Sequence, residues 1–472
     1  MGRTTEPVQR AKPSRNGIGH DSLKSFVIIG GGASGVILAA QVLERSRDAM
    51  VRIFERSGQI GRGIAYSTEN PGHLLNVRAS NMSAFPGNPD HFLNWLHTRQ
   101  TTAGVKIANE WQPQSFAPRR LYRDYLNDLV EQYRAGDTPR LVVDQREIVD
   151  VVLDGGKPAV VTETGEIVSA DAVIVATGNE TAIAVSGANV AEYWSSSGYF
   201  DIPADAPVAI FGTGLSMVDS VLSLLDRGHQ GTIHAISRRG LVPARHAAVE
   251  PFDVDTDSLF VASGIVGLLR RVRALMQEAE TAGSNWRAVM DALRPHTQQI
   301  WTRLPLAQRG SFLRHLRPWW DTHRHRMAPA VADRIDAARA SGQLEIAAGR
   351  LLSVQENETD MTIRYRERHT GSFQKLKIAT IIDCRGGNPR FSTTRNSALL
   401  GLMEHGLAKP DALDLGLDVT KDFQLINARG EPSGSFFAIG PVTKGVFWES
   451  TAVPDIRVQA AKLVETLFEG EA

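Results

Sequence analysis

Short apolar runs that end in glycine set the outline of this chain. Ser25–Gly30 (SFVIIG) predicts a buried strand, and the residues after its turn, GGASGVILAAQVLERS, place apolar side chains at helical spacing. Met50–Glu55 (MVRIFE) predicts the next strand, so the three segments form a β-α-β unit of about 30 residues. Ala206–Gly240 repeats the pattern as VAIFG, GTGLSMVDSVLSLLDRG and TIHAISRR.

Two more segments share an outline. Ile148–Gly178 predicts a strand, a glycine turn, a strand and then DAVIVATG; Leu351–Gly386 predicts the same series ending in IATIIDCRG. Each reads as an excursion that returns the chain to a central sheet. From about Ser258 to Gln343 the spacing turns helical, with Trp286, Trp301, Trp319 and Trp320 spread through it, and predicts a helical insertion. FFAIG (436–440) predicts a last strand and ESTAVPDIRVQAAKLVETL a last helix, with Pro454 in its first turn.

Composition narrows the classes of function. A chain of 472 residues can bury two or three domain cores. Its 52 lysines and arginines balance 52 aspartates and glutamates, so no global field draws in nucleic acid or an acidic membrane. Cys384 is the single cysteine, which excludes a disulfide scaffold, a thiolate zinc cluster and a dithiol relay within the chain. No apolar run reaches the roughly 18 residues of a membrane span. Residues 1–24 are polar, lack the apolar core of a signal peptide, and read as a flexible tail on a cytoplasmic protein.

The two glycine turns carry the candidate chemistry. Gly30-x-Gly32-x-x-Gly35 follows a strand and opens a helix. Gly30 permits the tight turn, Gly32 lets a pyrophosphate approach, and Gly35 lets helix and strand pack closely. The free N–H groups of the helix start favour phosphate, and Glu55, ending the second strand, can accept hydrogen bonds from a ribose. Gly212-x-Gly214 is a weaker copy, because Met217 stands where the third glycine would be. Its second strand ends in Ser237, Arg238 and Arg239, where a guanidinium can hold a 2′-phosphate and so favours NADPH over NADH. The competing reading of that tripeptide is a solvated basic loop.

Four stretches resemble a known family: GRGIAYSTENPGHLLNVRASNMSAFPGNPDHFLNWL (61–96), FAPRRLYRDYL (116–126), WWDTHRHR (319–326) and GPVTKGVFWESTAVPDIRVQAA (440–461). They are similar to the bacterial FAD/NAD(P)-binding flavin monooxygenases that include an FAD-dependent urate hydroxylase. More distant in pattern are the N-hydroxylating monooxygenases of amino acids and amines. The resemblance implies an α/β fold of two Rossmann-like dinucleotide-binding domains (glutathione-reductase-like), with a helical insertion in the second. It implies a flexible tail at 1–24, an FAD-binding domain from 25–178 and 380–472, and an NAD(P)H-binding domain at 179–379 with the insertion at about 258–343.

The implied activity is an FAD- and NADPH-dependent monooxygenase acting on a small polar, nitrogen-containing substrate through a flavin C4a-hydroperoxide. Whether this is N-hydroxylation or urate-type hydroxylation stays open. Gly30, Gly32, Ala33, Ser34, Gly35 and Glu55 would hold the ADP half of FAD, with Arg62, Gly63, Leu75 and Asn76 near the isoalloxazine. Gly440 would close the FAD site; the usual Gly-Asp at that strand end is here Gly440-Pro441, so backbone N–H groups from Val442 to Gly445 replace the carboxylate. Gly212, Gly214, Leu215, Ser216, Arg238 and Arg239 would hold NADPH. The implied partners are O2 and a small-molecule substrate, with no nucleic acid and no membrane; a homo-oligomer is compatible. A flavin reductase or oxidase that passes electrons without oxygen insertion is the alternative, and a flavin-sensing protein with a dead second site is a third.

Single side chains are weighed against simpler roles. Asn76 is a catalytic candidate or a turn-stabilising residue. Trp448, expected with Glu449 at the start of a helix, is a flavin wall or core. Arg119 or Arg120 reaches a phosphate or makes a surface ion pair. His323, Arg324, His325 and Arg326 crown a substrate entrance or, the favoured reading, form a solvated or salt-bridged turn. Arg294, Arg314 and Arg317 could serve an anionic substrate. His246 receives no role, and the sequence shows no metal-binding constellation, Ser-His-Asp pattern or nucleophile elbow.

Overall fold

The computed structural model describes residues 23–102, 111–135, 139–180, 190–191, 202–261, 264–357, 360–387 and 390–469. The expected tail thus lies outside the described residues except for its end, where Lys24 opens the first strand rather than closing the tail. The first unit comprises β1 (Lys24–Ile29), α1 (Ala33–Arg45), β2 (Ala49–Phe54), α2 (His91–Thr102), α3 (Arg119–Arg134) and β3 (Leu141–Asp144). An excursion follows through β4 (Ile148–Asp154), β5 (Lys157–Thr162) and β6 (Ile167–Ser169), and β7 (Ala172–Val175) returns to the sheet. The second unit begins with β8 (Val190–Ala191), β9 (Val208–Phe211), α4 (Leu215–Asp226) and β10 (Ile233–Ser237).

Helices then dominate: α5 (Thr256–Val261), α6 (Gly264–Thr281), α7 (Trp286–Leu293), α8 (Thr297–Arg303), α9 (Leu306–Ser311), α10 (Arg317–Arg324) and α11 (Pro329–Ala340). β11 (Leu344–Glu356), β12 (Met361–Glu367), β13 (Phe373–Ile378) and β14 (Thr380–Asp383) form the second excursion. The chain ends with α12 (Ser397–Glu404), β15 (Gln424–Ile426), β16 (Pro432–Ala438) and α13 (Val453–Leu467).

Two central sheets carry the architecture, in the orders β15-β16-β7-β1-β2-β3 and β13-β12-β11-β10-β9-β14-β8, with β4-β5-β6 as a separate sheet. In the first, Ile28 lies opposite Ile53 on one side and Ile174 on the other, all parallel. In the second, Ile210 lies opposite Ala235 and Ile382 in the same way. Strands buried on both faces read as unbroken apolar runs, which is how SFVII and VAIF were recognisable. One face of the first sheet packs on α1, α3 and α13 through Val36, Leu126 and Leu463; the other packs on α12 through Ala398 and Leu402.

The helical stretch is not wholly an insertion, because α11 packs Val331, Ala332 and Ile335 against Val218 and Leu222 of α4 and leads into β11, which is parallel to β10. β11 starts at Leu344, ahead of Leu351; it leaves the parallel sheet to pair antiparallel with β12. The helices before α11 have a small core of their own around Leu275, Val289 and Leu293. Among the described residues, no helix is long and apolar enough to cross a membrane.

Candidate functional site: a dinucleotide cavity and its second copy

Both glycine turns are built alike, nearly atom for atom. Gly30 has φ +108° and Gly212 +105°, a region that side chains rarely adopt. A Cβ on Gly30 would stand 2.5 Å from the Ala176 carbonyl oxygen, and one on Gly212 would stand 2.4 Å from that of Cys384. The Gly30 N–H donates to Phe54 O at 2.9 Å and the Gly212 N–H to Ile236 O at 2.8 Å. The paired returns at ATG and DCRG are therefore what each first glycine is pressed against.

The copies differ at the third position. A Cβ on Gly35 would lie 2.1 Å from Gly30 O, so helix and turn touch there. Met217 fills the same place in the second turn and is fully buried. Gly32 and Gly214, which cap α1 and α4, have no side-chain cap, so the N–H groups of each first helical turn point outward. A Cβ on Gly32 would meet only Gly63 Cα at 3.6 Å, and one on Gly214 would meet nothing within 4 Å.

A cavity of about 730 Å³ opens on the first turn and runs along the carboxyl ends of the strands, from β3 across β2, β1 and β7 to β16. Arg146, Glu147 and Glu55 line it below β3 and β2, and Gly30, Gly32, Ala33 and Ser34 line it at β1. Ile64, Tyr66, Val442, Lys444, Thr451 and Ile456 line the far side. Glu55 accepts from the Gly31 N–H at 3.0 Å and from Ser57 Oγ at 2.7 Å. Arg62 Nε and Thr177 Oγ1 line this space, buried and without a partner, as an oxygen-rich ligand would leave them. The residues present therefore fit FAD.

Several expected residues lie elsewhere. Arg62 and Gly63 line the cavity, with Arg62 bound to Ser67 O at 3.1 Å and to Glu69. Leu75 and Asn76 do not line it: Leu75 is buried with its N–H on Ala117 O, and the Asn76 carbonyl accepts from His246 Nε2 at 3.0 Å. Gly35 and Gly440 support the cavity from behind; a Cβ on Gly440 would meet Ser34 Oγ at 2.3 Å.

Trp448 and Glu449 do not begin a helix. They sit in a turn ahead of α13, and Trp448 stacks on Trp301 at 4.8 Å with Phe312 edge-on at 5.5 Å, away from the cavity. Tyr66 and Lys444 went unrecognised; the signal for Lys444 was a lone cation in the turn that replaces Gly-Asp.

The HRHR stretch is salt-bridged, as the favoured reading expects, but its two arginines are buried rather than solvated. Arg324 is buried, 3.2 Å from Glu449 and 3.7 Å from Asp455, which Arg294 also binds at 3.2 Å. Arg326 is buried against Asp291, and His323 packs on Trp286 at 4.7 Å. Burial alone would raise the pKa of Glu449, but His325, Arg324 and the Trp320 indole outweigh it and hold the carboxyl at about 2. Arg314, Arg317 and Arg120 are exposed. Arg119 makes a largely buried ion pair rather than a surface one: its guanidinium bridges to Asp219 at 2.7 and 3.2 Å, tying α3 to α4.

Around the second turn, Thr213 Oγ1 donates to Leu241 O, so it accepts from Ser237 Oγ at 2.9 Å. Arg238 is exposed, and Arg239 donates to His315 O at 3.3 Å. Leu215 packs at the edge of the core, and Ser216 O accepts from Ser220 Oγ. Cys384 follows β14 below this turn, with its thiol pushed up to about 12 by burial.

Residues 27–180 match the FAD-NAD(P)-binding family model. The ornithine N-hydroxylase KtzI of Kutzneria sp. 744, solved with reduced FAD, NADP+ and L-ornithine, superposes with a TM-score of 0.65 at 16% identity over 95% of this chain and 99% of that one. The fold is that of a two-nucleotide flavoprotein. Ornithine hydroxylase PvdA of Pseudomonas aeruginosa gives 0.64 at 14% identity over 94% and 98%. An uncharacterized Escherichia coli protein, YdhS, is 24% identical over 305 residues, covering 56% of each chain. The chain thus spans about half the length of the curated relatives it matches.

Proposed function

We propose that this protein is an FAD- and NADPH-dependent monooxygenase that hydroxylates a small polar, nitrogen-containing molecule. The observation that carries the reading is the duplicated turn. One copy opens on a cavity of dinucleotide size; the other ends its second strand in an exposed Arg238. FAD, when bound, supplies the electron storage and oxygen chemistry. The chain's own part is positioning. Gly32–Ser34 receive the phosphates on the start of α1, Glu55 receives a ribose, and Arg62 and Tyr66 wall the space beyond.

The likeness to ornithine hydroxylases over nearly the whole chain supports oxygen insertion at nitrogen. Cys384 supports the exclusion of a dithiol route, since its thiol is buried and held neutral. The test is to purify the protein, confirm that it is yellow, and follow NADPH oxidation with candidate amines, amino acids and urate while measuring oxygenated product. NADPH oxidation that no small molecule accelerates, with all oxygen returned as peroxide, would establish the oxidase instead. Arg238→Ala should raise the KM for NADPH by about tenfold or more and leave that for NADH nearly unchanged. Equal losses for both coenzymes would remove the 2′-phosphate role.

A further inference from the structure

The charged groups that line the cavity are mostly paired. Arg56 binds Glu147, Arg62 binds Glu69, and Arg146 binds Asp144 and Glu166. Lys444 lines the same space and, among the described residues, has no carboxylate in ion-pair distance. The acid whose charge reaches it, Asp411, already accepts from the N–H groups of Leu413, Leu415 and Gly416. Arg317 of α10 acts on Lys444 as a second cation. Burial lowers the pKa of the Lys444 ammonium, Arg317 lowers it further, and Asp411 opposes them. Such a cation gains from any anion that enters the cavity.

Its place along the cavity says which anion. Glu55 ends β2 and the pyrophosphate turn ends β1, whereas Lys444 follows β16, two strands beyond β1 in the order β16-β7-β1-β2. A dinucleotide with its adenosine at β2 has its other end toward β16. The backbone there is fixed: Gly440 packs on Ser34, Thr443 Oγ1 donates to Gly440 O at 2.8 Å, and the Lys444 N–H donates to Pro441 O at 3.2 Å. Pro441 stands where an acid commonly ends this strand, so the strand end itself adds no carboxylate beside Lys444.

We propose that Lys444 sets the reduction potential of the flavin, its ammonium compensating the negative charge that the ring gains on reduction. This rests on the reading of the cavity as the FAD site. Hydride transfer from NADPH moves one proton and two electrons to the flavin, NADPH leaves as NADP+, and the flavin gains one net negative charge. No further reactant is needed. A fixed cation beside that charge stabilises the reduced form more than the oxidised one.

The experiment is a dye-equilibrated reduction of the FAD-loaded protein, comparing wild type with Lys444→Met, Lys444→Gln and Lys444→Arg. The neutral variants should keep the visible spectrum of bound FAD. They should hold reduced FAD at least about tenfold less tightly relative to oxidised FAD, a potential lower by about 30 mV for a two-electron couple. Lys444→Arg should stay near wild type. A wild-type potential in either neutral variant overturns the proposal, as does an equal loss of affinity for oxidised and reduced FAD, which would make Lys444 an anchor only. A wild-type chain that binds no FAD is a different result, seen before any potential is measured, and it removes the site reading itself.

Discussion

At Gly30 and Gly212 the backbone is decided by a carbonyl rather than by a ligand. Ala176 O and Cys384 O occupy the space a Cβ would need, and φ near +105° adds its own cost to any other residue. The remaining glycines separate by what surrounds them. Gly35→Ala forces a methyl against Gly30 O, so thermal or denaturant unfolding should show a loss of more than about 2 kcal/mol. Gly32→Ala meets only Gly63 at ordinary van der Waals distance, so on the proposed FAD reading that variant should fold with near-normal stability and lose its bound FAD, because the methyl points where the pyrophosphate would pass. A yellow Gly32→Ala protein would contradict that geometry. The spacing of these glycines was legible in the chain; which of them serve folding and which serve the ligand was not, since that depends on what the fold brings opposite each Cα.

The element that connects β16 to α13 is where the helical insertion docks. Trp301 donates its indole N–H to Gly445 O at 2.9 Å and stacks on Trp448, and a π-helical turn at Phe312–Leu316 presents Phe312 to both rings. Glu449 adopts φ +71°, which costs strain for a side chain, and its carboxylate receives Trp320 at 2.7 Å and faces Arg324 and His325. Glu449→Gln leaves Arg324 buried without its counter-charge, so urea unfolding should report a loss of about 3 kcal/mol, with tryptophan emission shifting as the aromatic stack loosens. Unchanged stability would mean that Asp455 alone compensates Arg324. Pro454 lies in the first turn of α13, where the sequence placed it, but no helix begins at Trp448, because Glu449 is left-handed and the chain there turns.

Across the whole molecule, the two dinucleotide units are tied by side chains far apart in sequence. His73 lies 2.9 Å from Asp219 O and 3.0 Å from Ser223 Oγ, Arg119 pairs with Asp219, and Asn70 donates to Asp226 at 2.8 Å. His246 completes the set on Asn76, and because a carbonyl only accepts, its Nε2 carries the proton. Burial first and the Arg326 charge next push the His246 pKa from 6.5 down to about 4. The unfolded chain binds that proton more readily, so stability is full above about pH 6.5 and falls as pH drops toward 4, by roughly 3 kcal/mol at most. His246→Gln should show a shallower fall in Tm than wild type between pH 7 and 4.5. Parallel curves would place the acid sensitivity in other groups, His73 first, whose pKa burial also lowers.

What the sequence determined by itself was the pair of β-α-β units, the excursions that return at ATG and DCRG, and the location of both glycine turns. These are local: strand burial, helical periodicity and glycine sterics are written in consecutive residues. Tertiary structure alone decided the rest. Arg119 and Asp219 are 100 residues apart, Trp320 and Glu449 are 129, and Asn76 and His246 are 170. Which charge meets which carboxylate follows from strand order and helix packing, and no spacing within one segment encodes it. Leu75 and Asn76 therefore read as flavin contacts, but Leu75 is buried in the first unit's core and the Asn76 carbonyl meets His246 of the second, while Lys444, alone in its turn, lines the cavity.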